Sequence, residues 1–296
     1  MAAGIAAVMV VTAFAGAQEL EPRAYAPSPV GTTFVIVSAT RSDGGVFTDP
    51  SAPITNVDAT LGILGLTLGR TFGLVGRQAL LLGVVPIAWG EASGDVLEEA
   101  RAVSRRGLAD SRVRLSVILA GARPMSPMEF AGASRRTTIG ASLTVVPPIG
   151  QYDSMKLVNL GSKRWALKPE IGVSRPAGRW TLDAYAGVWF FTRNDSYFPG
   201  GATRQQDPIV AIQTHLSYAL SRRAWVALNA TWYTGGRSRI DGEYKADLQR
   251  NTRLGATLSI PCGVRQSLKF AYSAGATTRI GADFRTMTAA WQIVIF

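Results

Sequence analysis

The stretch "GRWTLDAYAGVWFF", residues 178–191, decides the fold class. From Trp180 every second residue is apolar: Leu182, Ala184, Ala186, Val188 and Phe190 follow. The other register reads Thr181, Asp183, Tyr185, Gly187, Trp189 and Phe191. Successive side chains of a strand point to opposite faces, so this alternation specifies a strand with one apolar and one mixed face. A helix needs apolar residues three and four apart, and Asp183 and Gly187 break that stripe. A soluble sheet turns its apolar face inward, whereas a membrane barrel turns it outward to lipid. One strand alone does not choose between them.

The rest of the chain does. Alternation recurs in segments 31–41, 57–69, 77–90, 109–120, 136–149, 164–175, 179–192, 208–220, 224–235, 251–261, 266–277 and 285–296, which predicts twelve strands. The pattern is weakest over 57–90, where Gly and Leu are frequent. Connections after the odd segments are mostly long and polar: 42–56, 91–107, 150–163, 193–207, 236–250 and the shorter 278–284. Those after even segments are mostly short: 70–76, 174–178, 221–223 and 261–266. The exception is 121–135, which is free to plug the periplasmic mouth or sit beside it. Outer-membrane barrels have an even strand number, short periplasmic turns and long outer loops. A β-sandwich has no reason to show this parity. Closure also pairs every edge N–H and C=O, which lipid demands. The expected fold is all-β: an up-and-down antiparallel transmembrane barrel of about twelve strands in the bacterial outer membrane.

The faces follow. In 109–120, Val113, Leu115, Val117 and Leu119 oppose Arg112, Arg114 and Ser116; in 251–261, Leu254, Ala256, Leu258 and Ile260 oppose Arg253, Thr257 and Ser259. Alternation therefore aims Arg112, Arg114, Lys168, Glu170, Asp183, Tyr185, His215, Arg253 and Lys269 at the lumen. They are candidates for a selectivity lining or for an ion-pair ladder between strands, with Lys168, Glu170 and Asp183 as possible neighbours. Trp165, Trp180, Phe190, Trp225, Trp291 and Phe296 lie near segment ends, where interfacial aromatic girdles sit.

Composition narrows the function. The formal net charge is +11, but the Lys and Arg residues are scattered and form no basic stripe with stacking aromatics, so nucleic acid is not expected. Basic residues of the outer connections, among them Arg101, Arg105, Arg106, Lys156, Lys163, Arg237 and Arg239, suit the phosphates of lipopolysaccharide. The single cysteine, Cys262, excludes an internal disulfide and any multi-cysteine metal site, and no cofactor or metal is expected. His215 is the only histidine and faces the lumen in this register, away from where a barrel lipase needs its base, so an enzyme is not expected.

Residues 1–17 are uncharged and nearly all apolar, and Ala15-Gly16-Ala17 fits a cleavage site, so a secretory signal peptide is expected there. Residues 18–30 then form a periplasmic N-terminal segment able to enter the lumen as a plug, and 31–296 form the barrel. The C-terminal strand ends on Phe296, the kind of terminus read by the barrel-assembly machinery.

The stretches "AYAPSPVGTTFV" (24–35), "DSRVRLSVILAGA" (110–122), "TTIGASLTVVPPIGQYDSMKLVNLGSKRWALKPEIGVSRPAGRWTLDAYAGVWFFTRND" (137–195), "QDPIVAIQTHLSYAL" (206–220) and "NATWYTGG" (229–236) resemble the outer-membrane transporter family of the phenol-degradation meta-pathway. The block from Pro147 to Gly172 is the most specific. The departure is Cys262, where a larger apolar residue is expected. The resemblance implies an outer-membrane barrel passing small hydrophobic or aromatic solutes; it carries over no binding residues. The readings to be separated are a passive channel, a non-conducting structural or ligand-binding barrel, a barrel enzyme, and a soluble periplasmic β protein.

Overall fold

A computed structural model describes residues 20–50, 54–198 and 200–295. The expected signal peptide and Phe296 lie outside the described residues. The strands are β1 (Thr33–Phe47), β2 (Ile54–Leu74), β3 (Arg77–Val96), β4 (Glu99–Leu108), β5 (Arg112–Ala120), β6 (Thr138–Val146), β7 (Ala166–Ala177), β8 (Trp180–Phe191), β9 (Asn194–Tyr197), β10 (Ala202–Gln206), β11 (Ile209–Ala219), β12 (Trp225–Gly235), β13 (Ser238–Ile240), β14 (Glu243–Tyr244), β15 (Gln249–Pro261), β16 (Gln266–Thr277) and β17 (Gly281–Val294). One short helix, α1 (Pro127–Gly132), lies between β5 and β6.

Twelve of these strands pair antiparallel in a ring: β1, β2, β3, β5, β6, β7, β8, β11, β12, β15, β16 and β17. The ring closes where β1 pairs with β17, from Phe34 opposite Val294 to Phe47 opposite Gly281. β4 continues the β3 hairpin outside the ring, and β9, β10, β13 and β14 form a separate four-stranded sheet. Every predicted segment coincides with a ring strand. The long connections hold more structure than alternation showed, because β2 and β3 run 21 and 20 residues. A tilted membrane strand needs only about 9–11 residues, so their outer halves stand clear of the bilayer. Both ends of the wall, Thr33 and Val294, lie with the short turns at the periplasmic end; the long connections are extracellular.

The sidedness is the reverse of a soluble protein's. On β8, Trp180, Leu182 and Phe190 are exposed outward, whereas Thr181, Asp183, Tyr185 and Trp189 are buried inside. The same holds for β11, where Val210, Ile212 and Leu216 face out and Gln213, His215 and Ser217 face in. Charged and amide groups occupy the interior, and a mainly apolar band covers the outside. Such a surface is stable only against lipid. No helix among the described residues is long and apolar enough to cross a membrane, so the crossing is made by strands. Leu228, 65% exposed near the middle of β12, tests this band. Leu228→Arg is expected to destabilise the barrel in phospholipid bilayers by about 2–4 kcal/mol, read from a urea titration, the cost of a cation at the mid-plane. A neutral outcome would mean that this face meets water.

Candidate functional site: a lumen with an occupied periplasmic half

The lumen is built around Glu170 on β7. Its Oε2 accepts from Lys168 Nζ at 2.7 Å, and Oε1 accepts from Arg114 Nη2 at 2.9 Å and from Tyr25 Oη at 3.0 Å. Gln213 Nε2 donates to Oε2 at 3.2 Å. The side chains of Lys168, Glu170 and Arg114 are 2%, 3% and 7% exposed, so this is a desolvated cluster and not a wetted ring. Charges taken out of water need close partners, and the cluster supplies them.

Tyr25 belongs to the N-terminal segment, which enters the barrel. Its ring is fully buried, and its hydroxyl also meets Ser142 Oγ at 2.9 Å. Around it, Arg23 N donates to Asp183 Oδ2 (3.2 Å), Ala24 N to Tyr185 Oη (3.0 Å), and Thr138 Oγ1 to the Tyr25 carbonyl (2.9 Å). Glu21 Oε2 accepts from Arg114 Nη1 at 2.7 Å. Two wall glycines make the room. A Cβ on Gly140 or on Gly172 would stand 2.3 Å from the Tyr25 ring, and that on Gly172 also 2.6 Å from Tyr185 Cδ1. The segment leaves through the periplasmic mouth, where Val30 N donates to Met125 O at 2.8 Å in the 121–137 connection.

The extracellular half is closed differently. Val146, Ala166, Trp189, Ile209, Ala211 and Tyr233 form an apolar cluster on the inner face, with Phe191 packed against it. The connection between β6 and β7 folds inward, so that Leu160 reaches Ala88 on β3, Ala109 before β5 and Ile63 on β2. Buried Asp110 holds it: Oδ1 accepts from Gly150 N (2.8 Å), and Oδ2 from Ser162 N and Ser162 Oγ (2.7 Å each). Asp110→Ala removes three hydrogen bonds to a carboxylate, each worth about 1.5–3 kcal/mol. The expected result is trypsin cleavage at Lys156 or Lys163 in a barrel that otherwise stays folded; a resistant connection would show that Asp110 does not hold it.

Space remains beside these fillings. A cavity of about 790 Å³ borders β1, β2, β15, β16 and β17, and touches the inward residues Thr40, Leu61, Ile63, Thr257, Ala271 and Thr288. Its lining is uncharged but for Arg41, and a second cavity of about 1200 Å³ opens at the periplasmic mouth.

All nine residues aimed at the lumen by alternation lie on its inner face, but only five of them meet at one place. Arg114, Lys168, Glu170, Asp183 and Tyr185 meet at the N-terminal segment. His215 shares its Nδ1 with Asn229 Oδ1 at 2.8 Å, and its ring lies 5.1 Å from that of Tyr185. Because a carbonyl can only accept, Nδ1 carries the proton. Arg253 donates to Phe284 O and Ser273 Oγ in the outer half; Lys269 lies by Trp225 at the periplasmic end, and Arg112 is half-buried at the extracellular start of β5. Asp183 and Lys168 face the same lumen, and Asp183 accepts from Arg23 N.

Trp165, Trp180, Phe190 and Trp291 are exposed on the outer face. Trp225 is a correction. It shares its face of β12 with the buried Ala227, Asn229 and Thr231, so it points inward, with Arg23 at 5.4 Å and Lys269 at 6.0 Å over its ring. Position near a strand end does not identify a girdle residue; parity with Asn229 and Thr231 does. The role of Tyr25 was missed because an unpaired segment has no periodicity. Its trace was the pair of inward glycines at 140 and 172.

A family model described as "Putative MetA-pathway of phenol degradation" matches residues 39–282. Among solved structures, an outer-membrane channel from Pseudomonas putida F1 superposes with a TM-score of 0.79 at 19% identity, covering 94% of this chain and 100% of that one. The transport unit of the autotransporter AIDA-I from Escherichia coli gives 0.54 at 10% identity, covering 96% of each chain. No curated protein sequence matches significantly.

Proposed function

The chain belongs to the family described as "Putative MetA-pathway of phenol degradation", and on that premise we propose that its barrel passes small hydrophobic or aromatic solutes passively across the bacterial outer membrane. The observation that carries this reading is the cavity of about 790 Å³ beside the filled part of the lumen. A barrel whose only task is structural has no use for an unfilled, weakly polar interior of that size, since voids forfeit packing energy. The volume lies in the range of small-molecule pockets. Driving force comes from the solute gradient, and no side chain undergoes chemistry.

The ties at Tyr25 favour a second reading, in which the resting barrel binds a ligand without conducting. The two are separated by swelling of proteoliposomes that hold the mature chain, challenged with phenol or a sugar of similar size. Swelling with phenol and none with the sugar supports passage of aromatic solutes. No swelling with either, in a barrel that is folded and heat-modifiable, favours the ligand-binding barrel.

Two partnerships are part of the proposal. Phe296 is offered to the barrel-assembly machinery. Exposed basic residues of the extracellular elements, such as Arg101 on β4 and Lys163, meet the phosphates of lipopolysaccharide.

A further inference from the structure

The cavity at the periplasmic mouth has a charge that passage of neutral solutes does not require. Its volume is about 1200 Å³, and it is ringed by the short turns and the 121–137 connection. Seven arginines line it: Arg23, Arg77, Arg123, Arg135, Arg136, Arg179 and Arg222. The single acid among its lining residues is Glu129. That carboxylate is already engaged. It accepts from Arg123 Nη2 at 2.8 Å and from Ser126 N at 2.8 Å, and the Ser126 backbone bond is the main reason its pKa lies below the usual range.

Arg23 lies over the Trp225 ring with Asp183 nearby, and three of the other guanidinium groups meet neutral atoms. Arg77 donates to Leu119 O; Arg135 donates to Thr181 Oγ1 at 2.6 Å; Arg179 donates to Ala219 O at 3.0 Å and to Leu220 O at 2.7 Å. Carbonyl and hydroxyl oxygens satisfy the N–H groups but leave the charge uncompensated. Arg136 and Arg222 are exposed, with no hydrogen bond among the described residues. Like charges gathered around one mouth repel each other and focus a positive potential, and an anion relieves both. Arginine is suited to this task, since its planar fork receives a carboxylate through two parallel bonds. The same cavity presents apolar surface from Met125 and Phe130.

We propose that this vestibule is an oxyanion site that takes the carboxylate of small aromatic acids at the periplasmic end of the barrel. The assignment rests on the channel reading and sharpens it: the solutes handled include weak aromatic acids as well as neutral compounds. An arginine-lined mouth would hold such an acid in its ionised form, at the point where a solute enters or leaves the periplasm.

The phosphate of an inner-leaflet lipid headgroup shares the oxyanion chemistry, so the experiment sets the two sources apart. Equilibrium dialysis of the folded, detergent-solubilised chain would be run with benzoate, benzyl alcohol and glycerol phosphate. Binding needs no conduction, so this outcome is independent of the swelling experiment. Saturable binding of benzoate and not of benzyl alcohol is expected. The double variant Arg136→Gln/Arg222→Gln should weaken it about tenfold, the scale of losing one charge-assisted hydrogen bond. Both residues are exposed and outside the strands, so the fold is expected to survive; heat-modifiability verifies it. Equal binding of benzoate and benzyl alcohol would overturn the proposal, as would benzoate binding indifferent to the double variant. Binding of glycerol phosphate without benzoate would assign the arginines to lipid headgroups and overturn it too.

Discussion

Gly172→Leu is expected to expel the N-terminal segment and open the barrel. A Cβ at 172 would stand 2.3 Å from the Tyr25 ring and 2.6 Å from that of Tyr185, distances that no real packing tolerates. One of the neighbours must move. Gly172 sits on β7, paired to β6 and β8 on both sides, and Tyr185 sits on β8 itself. Tyr25 is in a segment held by a few side-chain bonds and by no strand ladder. Overpacking a braced wall costs about 1–3 kcal/mol, and release of a terminal segment avoids most of it. The expected readings are a several-fold larger mean current than wild type in a planar bilayer, and trypsin cleavage after Arg23. Gly140→Leu strikes the same ring from the other side and should act alike. If both variants keep wild-type current while Arg23 becomes cleavable, the segment is out and something else closes the lumen; the inward 147–165 connection is then the barrier.

Glu170→Leu should be the most destabilising single substitution in the lumen. It removes the carboxylate shared by Lys168, Arg114, Tyr25 and Gln213, and leaves two cations buried without it. Breaking a buried ion pair from one side costs about 3–5 kcal/mol, because the remaining charge stays desolvated. A lowered urea midpoint in lipid, and loss of the heat-modifiable band at lower temperature, are the readouts. The triple variant Glu170→Leu/Lys168→Met/Arg114→Met removes the charges together and should recover most of the loss, since apolar replacement of a whole buried ion cluster is often neutral or better. A triple variant as weak as the single one would show that Glu170 contributes through packing and not through charge.

The two variants also divide the roles of Tyr25. Gly172→Leu moves the ring and leaves the ion cluster complete. Glu170→Leu removes the anchor and leaves the space. If the current rises in both, the hydroxyl bond to Glu170 is what keeps the segment seated.

The alternation in residues 178–191, and the parity of connection lengths around it, determined the ring of twelve strands, its orientation and which face of each strand meets lipid. These are local matters. A two-residue period admits one assignment per strand, and lipid forbids an unpaired edge. For the same reason the nine lumen residues were legible by number. What they do together was not. Lys168 and Glu170 are two apart on β7, but Arg114 and Tyr25 reach them from 56 and 145 residues away. Trp225 lies near a strand end, as a girdle residue does, yet its parity with Asn229 and Thr231 turns it inward. The lumen filling by Tyr25, the inward fold of the 147–165 connection around Asp110, and the gathering of seven arginines at the periplasmic mouth came only from the tertiary structure. Each depends on side chains from segments with no periodicity of their own, brought together when the ring closes. Periodicity reports which way a side chain points; only closure of the ring determines what it meets there.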